Sequence, residues 1–427
     1  MNPFAAMLLV LSTFAGLMLG VRCARRRSWL SAEGARKSVH MLMGLGTAAF
    51  PWVFCDTWAV LVLTGAFLAL LLALRFIVRL REKFGDVLGG VGRASAGELY
   101  FPVAIGGLFA LTNGAPLDFV IPVLVLTLAD AVAALVGTRW GRHRYVADEG
   151  EKSWEGSLAF FGTAFVCVFV PLVATGHAPL HSALAALCIA TVTMLAEATA
   201  WRGLDNLFVP FATLAMLRIY RDQPEPALWG RIGVLILLAA LHGVIRKRLQ
   251  LREGTLFGAL VILFVFAYVG SRAWAVAPFT VLLLHPLPRL WRCAGAEAQS
   301  HLALFSYALP SLAWLAAWRL WGADGFAPSV VACGTQLAMT CASVWRTDLG
   351  KVALLVPCAA LGWLCVIAPR WFSGEIPALI AGISAVAVIG ALLAFHFTLS
   401  LLREPAWRHW FSRAAFASLA SLAAYFA

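Results

Sequence analysis

Apolar runs long enough to cross a bilayer recur along the whole chain, broken by short polar segments. A span needs roughly 20 apolar residues, so the pattern predicts about 14–16 membrane helices. In the first half they are expected near 4–21, 39–54, 57–77, 101–115, 118–138, 157–175, 182–200 and 207–220, followed by 230–246 and more. No stretch alternates in polarity as barrel strands do. No soluble domain is visible. The expected fold is all-α: a polytopic integral membrane helical bundle.

Composition agrees, since 62% of the 427 residues are hydrophobic and 13% charged. The net charge of +12 would suggest nucleic acid in a soluble protein. Here it fits positive cytoplasmic loops, and no basic tail is present. The expected partner is the lipid bilayer, not nucleic acid. The apolar segment Pro3–Gly20 precedes Arg22, Arg25, Arg26 and Arg27. A signal peptide carries its charge ahead of the apolar core, so an uncleaved first span is expected. The nine cysteines are scattered without a CxxC pair and read as small core hydrophobes.

Basic clusters at Arg22–Arg27, Arg75–Lys83, Arg139–Arg144, His242–Arg252, Arg289–Arg292 and Arg403–Arg413 orient the chain. Placing them in the cytoplasm puts Met1 outside. Four polar segments, 33–40, 93–102, 130–156 and 197–206, then fall on the cytoplasmic face. Convergence of that kind is what one active site facing cytosolic nucleotide requires.

Each segment has a plain reading and a chemical one. Arg36, Lys37 and His40 open a membrane helix, with Arg36 and His40 on one face; the plain reading is a snorkelling anchor. Glu98 directly precedes a span, where an acid either complements the helix dipole or serves a site. Asp130 is embedded in an apolar helix, with Gly137 and Gly141 on the same stripe. An intramembrane acid is functional by default, and two glycines behind it would leave a groove for a ligand or metal. The stretch "DEGEKSWEGS" (148–157) then leads into the next helix. Lys152, Ser153, Gly156 and Ser157 suit phosphate at a helix N-terminus, and Glu155 could hold a metal or orient Lys152. A solvated connector is the plain alternative. Glu197 ends an apolar helix, and Gly203, Asp205 and Asn206 form a turn with Asx capping as its plain reading. Mg²⁺ takes one or two carboxylates plus phosphate oxygens, and Asp130, Glu197 and Asp205 are the candidates. No GxxxxGK[ST] loop, protein-kinase signature, GxSxG or HExxH occurs.

Together these blocks resemble the polyprenol kinase family: phytol kinase, dolichol kinase and the CTP-dependent diacylglycerol kinases. Its pattern is roughly E-x-x-R-K-x-x-H, G-E-x-Y-x-P, D-x-x-A-x-x-x-G-x-x-x-G, K-S-x-E-G-S, then E and G-x-D-N-x-x-x-P. Glu33, Arg36, Lys37 and His40 fit the first block, and Gly97, Glu98, Tyr100 and Pro102 the second. Asp130, Ala133, Gly137 and Gly141 fit the third, and Lys152, Ser153, Glu155, Gly156 and Ser157 the fourth. Glu197, Gly203, Asp205, Asn206 and Pro210 complete it. The likeness covers about residues 30–220 and is closest to phytol kinase-like bacterial members. It implies transfer of the γ-phosphate of CTP or ATP to a membrane-dissolved prenol or other lipid alcohol. Asp130 would serve Mg²⁺ or the alcohol proton, with Glu197 and Asp205 assisting the metal. Lys152, Arg36 and Lys37 would neutralise phosphate, Ser153 and Gly156 would cradle it, and His40 would be a candidate base. The expected location is a bacterial inner membrane, with the site facing the cytoplasm.

Residues 1–220 are expected to form this domain and 221–427 a second membrane domain. There, "ASVWRTDLGK" (342–351) resembles an A-D-T-W-A-[ST]-E-x-G element of the membrane family that includes phytyl-phosphate kinase. Trp345, Thr347, Asp348 and Gly350 fit; Ser343 replaces its Asp, removing a metal ligand. Two other classes stay open. A CDP-alcohol or cytidylyl transferase would need four departures from its motif at Ala131, Leu135, Arg144 and Lys152. A transporter would show matching broken helices in both halves, whereas the polar motifs of the two halves differ.

Overall fold

A computed structural model describes residues 2–29, 32–76, 97–147, 150–199, 203–249, 253–284, 301–349, 355–401 and 406–427. The chain divides into two units, Met1–Leu241 and His242–Ala427.

The first unit is built from α1 (Pro3–Arg26), α2 (Ala32–Ala48), α3 (Thr57–Phe76) and α4 (Gly97–Thr112). Then come α5 (Pro116–Trp140), α6 (Trp154–Ala174), α7 (Pro179–Thr199), α8 (Asp205–Tyr220) and the start of α9 (Glu225–Leu249). Helix α5 is the central post and touches α2, α4, α6 and α8. Its ladder loosens into a π-turn at Val125–Ala129, directly before Asp130. Single π-turns inside helices are frequent at functional positions.

The core of this unit is aromatic and aliphatic. Phe50, Phe109 and Phe119 are buried among Leu63, Ile105 and Leu108, with ring centroids 5.3 Å apart for Phe109–Phe119. The outer faces are apolar too: Phe4, Leu8, Leu158, Ile236 and Leu237 are exposed. A surface lined by such side chains fits lipid tails rather than water. Among the described residues, eight helices are long and apolar enough to cross a membrane, and Gly97–Thr112, Gly254–Gly270 and Arg272–Leu284 are shorter apolar helices. The chain is a helical, polytopic integral membrane protein.

One departure from pure helix matters. Two antiparallel strands, β1 (Arg144–Ala147) and β2 (Gly150–Ser153), pair Tyr145 with Lys152 and Arg144 with Ser153. The stretch read either as a phosphate-binding helix start or as a solvated connector is therefore partly a hairpin. Tyr145 and Ala147 are buried while Arg144 and Val146 are exposed, the alternation that a one-sided strand demands.

The second unit contains α10 (Gly254–Gly270), α11 (Arg272–Leu284), α12 (His301–Trp321), α13 (Phe326–Leu349), α14 (Leu355–Phe372), α15 (Ala378–Leu401) and α16 (Ala406–Tyr425). Helix α13 is its hub, touching α11, α12, α14, α15 and α16.

Candidate active site

Five ionisable side chains from distant positions share one neighbourhood. Asp130 on α5 lies within electrostatic reach of Asp205, Glu197, Lys152 and Lys37. These come from the head of α8, the end of α7, β2 and α2. Members of three of the four expected polar segments thus meet as anticipated.

The hairpin puts Lys152 in this group. Its Nζ donates to Glu197 Oε1 at 2.7 Å and also to the Glu197 backbone carbonyl. Burial opposes the charge on Lys152. Glu197, and next Asp205, outweigh that penalty and hold the ammonium's pKa above its ordinary value. Lys152 therefore stays cationic, two residues ahead of α6 and in direct contact with α7.

The rest of the K-S-x-E-G-S block acts as scaffold. Ser153 is the N-cap of α6, its Oγ accepting from Gly156 N at 3.1 Å. Trp154 N donates to the His143 carbonyl at 2.9 Å. Ser157 Oγ and Tyr145 Oη are 2.8 Å apart and buried. Glu155 accepts from His143 N at 3.1 Å and sits 2.7 Å from His143 Nδ1, which ties the hairpin to the helix. The amide of Gly156, expected to face phosphate, and that of Trp154 beside it are thus already engaged within the protein.

The glycine stripe packs rather than gapes. A Cβ at Gly141 would clash first with the Gly137 carbonyl of its own helix and then meet Ser153 Oγ at 2.7 Å and Ser153 Cβ at 2.8 Å. At Gly137 it would meet Ser153 Oγ at 3.1 Å, and at Gly156 the Ala133 carbonyl at 3.1 Å. The groove expected behind Asp130 is filled by the capped start of α6. Close approach of these backbones carries Lys152 to the acids.

Asn206 Nδ2 donates to the Gly97 carbonyl at 2.9 Å, pinning α8 to α4, and Asn206 N donates to Asp205 Oδ1 at 3.1 Å. Gly203, at φ +79°, makes the turn into α8, a conformation glycine adopts freely. Glu98 is exposed in the first turn of α4. His40 packs its ring on Phe101 at 5.2 Å. The side chain of Arg36 lies outside the described residues, as do those of Trp345, Thr347 and Asp348 and the whole of Gly350 in the second half. Ser343 donates to the Met339 carbonyl at 2.7 Å.

The donor set fits a hard divalent cation. Three carboxylates and two lysines lie within electrostatic reach of one another around Asp130, which among the described residues accepts no hydrogen bond. No group of three or more His, Cys, Asp or Glu among them is set closely enough to hold an ion alone. An ion here would be completed by phosphate oxygens, the usual habit of Mg²⁺.

Sequence reasoning missed five residues. Tyr145 and His143 lock the hairpin, whose alternation lies in burial rather than in the polarity of "RYVA". At the other end of α5, Asp118 is held by Arg218 Nε at 3.1 Å and by Arg221 Nη1 at 2.8 Å. Arg218 also donates to the Leu111 carbonyl at 2.7 Å.

A phytol kinase of Synechocystis sp. is 33% identical to this chain over 221 residues, covering 50% of this chain and 92% of that protein. No family model and no solved structure matches.

Proposed function

The chain belongs to the phytol kinase-like polyprenol kinase family, and on that premise we propose that it moves the terminal phosphate of CTP or ATP to the hydroxyl of a prenol such as phytol, farnesol or geranylgeraniol. It is a lipid-alcohol kinase of the membrane; the donor, the alcohol and the residue roles below are our reading. The observation that carries it is the gathering of Lys37, Asp130, Lys152, Glu197 and Asp205 from separate segments.

Phosphoryl transfer asks mainly for positioning and charge neutralisation. Lys152, fixed by Glu197, holds a positive charge where the triphosphate would lie, and Lys37 adds a second. Asp130 and Asp205, with Glu197 behind them, would hold Mg²⁺, which when bound neutralises the phosphates and orients them. A carboxylate has two oxygens, so Asp130 can bind a cation through one and accept the alcohol proton through the other. Ser153, Gly156, Gly137 and Gly141 hold the geometry instead of touching phosphate. His40, one helical turn from Lys37, is the second candidate for the proton. We place the site on the cytoplasmic face of a bacterial inner membrane, because assigning the basic clusters of the sequence to the cytoplasm assigns the acid-bearing segments there too.

The test is direct. Purified protein in lipid receives Mg²⁺, γ-labelled CTP or ATP, and each alcohol in turn. Label in a lipid phosphate that disappears with Lys152→Ala supports the reading. No label with any donor–alcohol pair sinks it.

A further inference from the structure

Helix α2 brings Lys37 and His40 towards the acids, and its next turn carries Gly44. Spaced three and four apart, these residues share one face. Val39 and Met43, on another face, pack with Val21 of α1. Gly44 meets Thr127 of α5. A Cβ on Gly44 would overlap Thr127 Oγ1 and lie 2.5 Å from Thr127 Cγ2 and 2.8 Å from Thr127 Cβ. The Thr127 side chain is therefore a knob seated in a notch of α2, with Gly44 as the floor. Both residues are buried, Thr127 completely.

Thr127 stands inside the π-turn, three residues before Asp130. Elsewhere in this unit Thr64, Thr112, Thr193 and Thr213 each donate to the carbonyl four residues back. Thr127 Oγ1 is buried and makes no hydrogen bond among the described residues. The widened ladder of a π-turn takes the usual carbonyl out of line, and the side chain meets α2 instead. An orphaned buried hydroxyl is a cost, so what Thr127 contributes is the space it fills.

A knob and its notch fix both the spacing and the register of two helices. Lys37 lies two turns along α2 from Gly44, and Asp130 one turn along α5 from Thr127. The electrostatic reach of Lys37 to Asp130 spans that same seam. We infer that Gly44 and Thr127 are positioning residues for the phosphoryl transfer proposed above: their contact seats α2 on α5 and so holds Lys37, with His40 beside it, near Asp130. The inference rests on the kinase reading for its reaction and on the seam itself for its geometry.

The full chain in lipid is tested by kcat, KM for nucleotide, melting midpoint and size-exclusion profile. Gly44→Ala should pry the seam apart and lower kcat/KM by about tenfold or more. Gly44→Ala combined with Thr127→Gly moves the notch to the other helix and should return kcat/KM to within about threefold of wild type. Thr127→Val keeps the outline of the knob; it should melt no lower than wild type and stay within about twofold in rate. Gly46→Ala is the control for crowding α2 as such. A Cβ there would meet Phe14 Cε1 of α1 at 2.8 Å, the far end of a half-buried ring, and the rate should hold within about twofold.

A melting cycle of Lys37→Met and Asp130→Asn reads the same register without turnover. Its coupling should vanish in the Gly44→Ala background and return in the paired variant. If wild type transfers no phosphate, the kinase reading fails and this cycle alone decides the seam. If Gly44→Ala aggregates, the paired variant and Thr127→Val decide. Full activity in folded Gly44→Ala, an equal loss in Gly46→Ala, a folded paired variant or Thr127→Val that stays about tenfold down, or a coupling indifferent to Gly44 overturns the inference.

Discussion

Lys152 holds Glu197 twice, through the carboxylate at 2.7 Å and through the backbone carbonyl. Glu197 lies in the last turn of α7, where helix carbonyls lack intrahelical partners and where a cation complements the dipole. One side chain from a hairpin thus finishes a helix and delivers the charge the site needs. Those two duties can be pulled apart by substitution.

Lys152→Ala should lower kcat/KM by about 100-fold, or ~2.7 kcal/mol, and should also lower the thermal midpoint by leaving Glu197 unpaired. Lys152→Arg should restore the midpoint more than the rate. Unaltered steady-state kinetics in the alanine variant would remove Lys152 from the site.

Asp130→Asn should behave in the opposite sense on stability. It removes one of three neighbouring acids, so the protein should melt at the same or a higher temperature while phosphoryl transfer falls below about 1%. Membrane fractionation and a melting curve check the first half, and the labelled-nucleotide assay the second. A fully active variant would end the role assigned to this carboxylate.

The glycine stripe predicts a graded series. Gly141→Ala drives a methyl into the Gly137 carbonyl and to 2.7 Å from Ser153 Oγ, whereas Gly137→Ala reaches only 3.1 Å from Ser153 Oγ. Overpacking of this kind costs about 1–3 kcal/mol, so the melting order should be wild type, then Gly137→Ala, then Gly141→Ala. Equal midpoints would mean that the stripe does not carry the packing.

Tyr145→Phe and Ser157→Ala each break the same buried contact. Each should cost about 1 kcal/mol, and the double variant should cost little more than either alone. A double-mutant cycle reads the coupling; strict additivity would separate the two residues.

Asp118→Asn strips Arg218 and Arg221 of their shared acid at the far end of α5. Arg218 is partly exposed, so the loss should be about 1–3 kcal/mol, with KM for nucleotide unchanged. A shift in that KM would reveal communication along the helix.

Asp130 was legible because a charge within an apolar run is conspicuous, and Lys37, Lys152, Glu197 and Asp205 because they stand in short polar segments between such runs. Their neighbours were harder to place. Glu155 looked like a metal or phosphate residue, yet its partner His143 stands twelve positions back, across a hairpin that helical periodicity cannot register. Gly137 and Gly141 advertised empty space, and empty space is equally what a neighbouring backbone needs. Asp118 with Arg218 and Arg221 escaped notice because the acid opens one span and the arginines close another, some hundred residues later. The helical class was legible throughout, since length and hydropathy alone decide it.

The π-turn at Val125–Ala129 works as a phase shifter. Each added residue in a helix advances the azimuth by roughly 100°, so Asp118 and Asp130 cannot be assigned a common heading by counting turns straight through. Deleting one residue inside that turn would heal the ladder and shorten the helix by only about 1.5 Å. Because the π-turn spreads an extra residue over the arc of an ordinary turn, the deletion would leave Asp130 near its present heading on a tighter helix, with every other residue of the site in place. The flaw thus stores slack beside the acid rather than its aim.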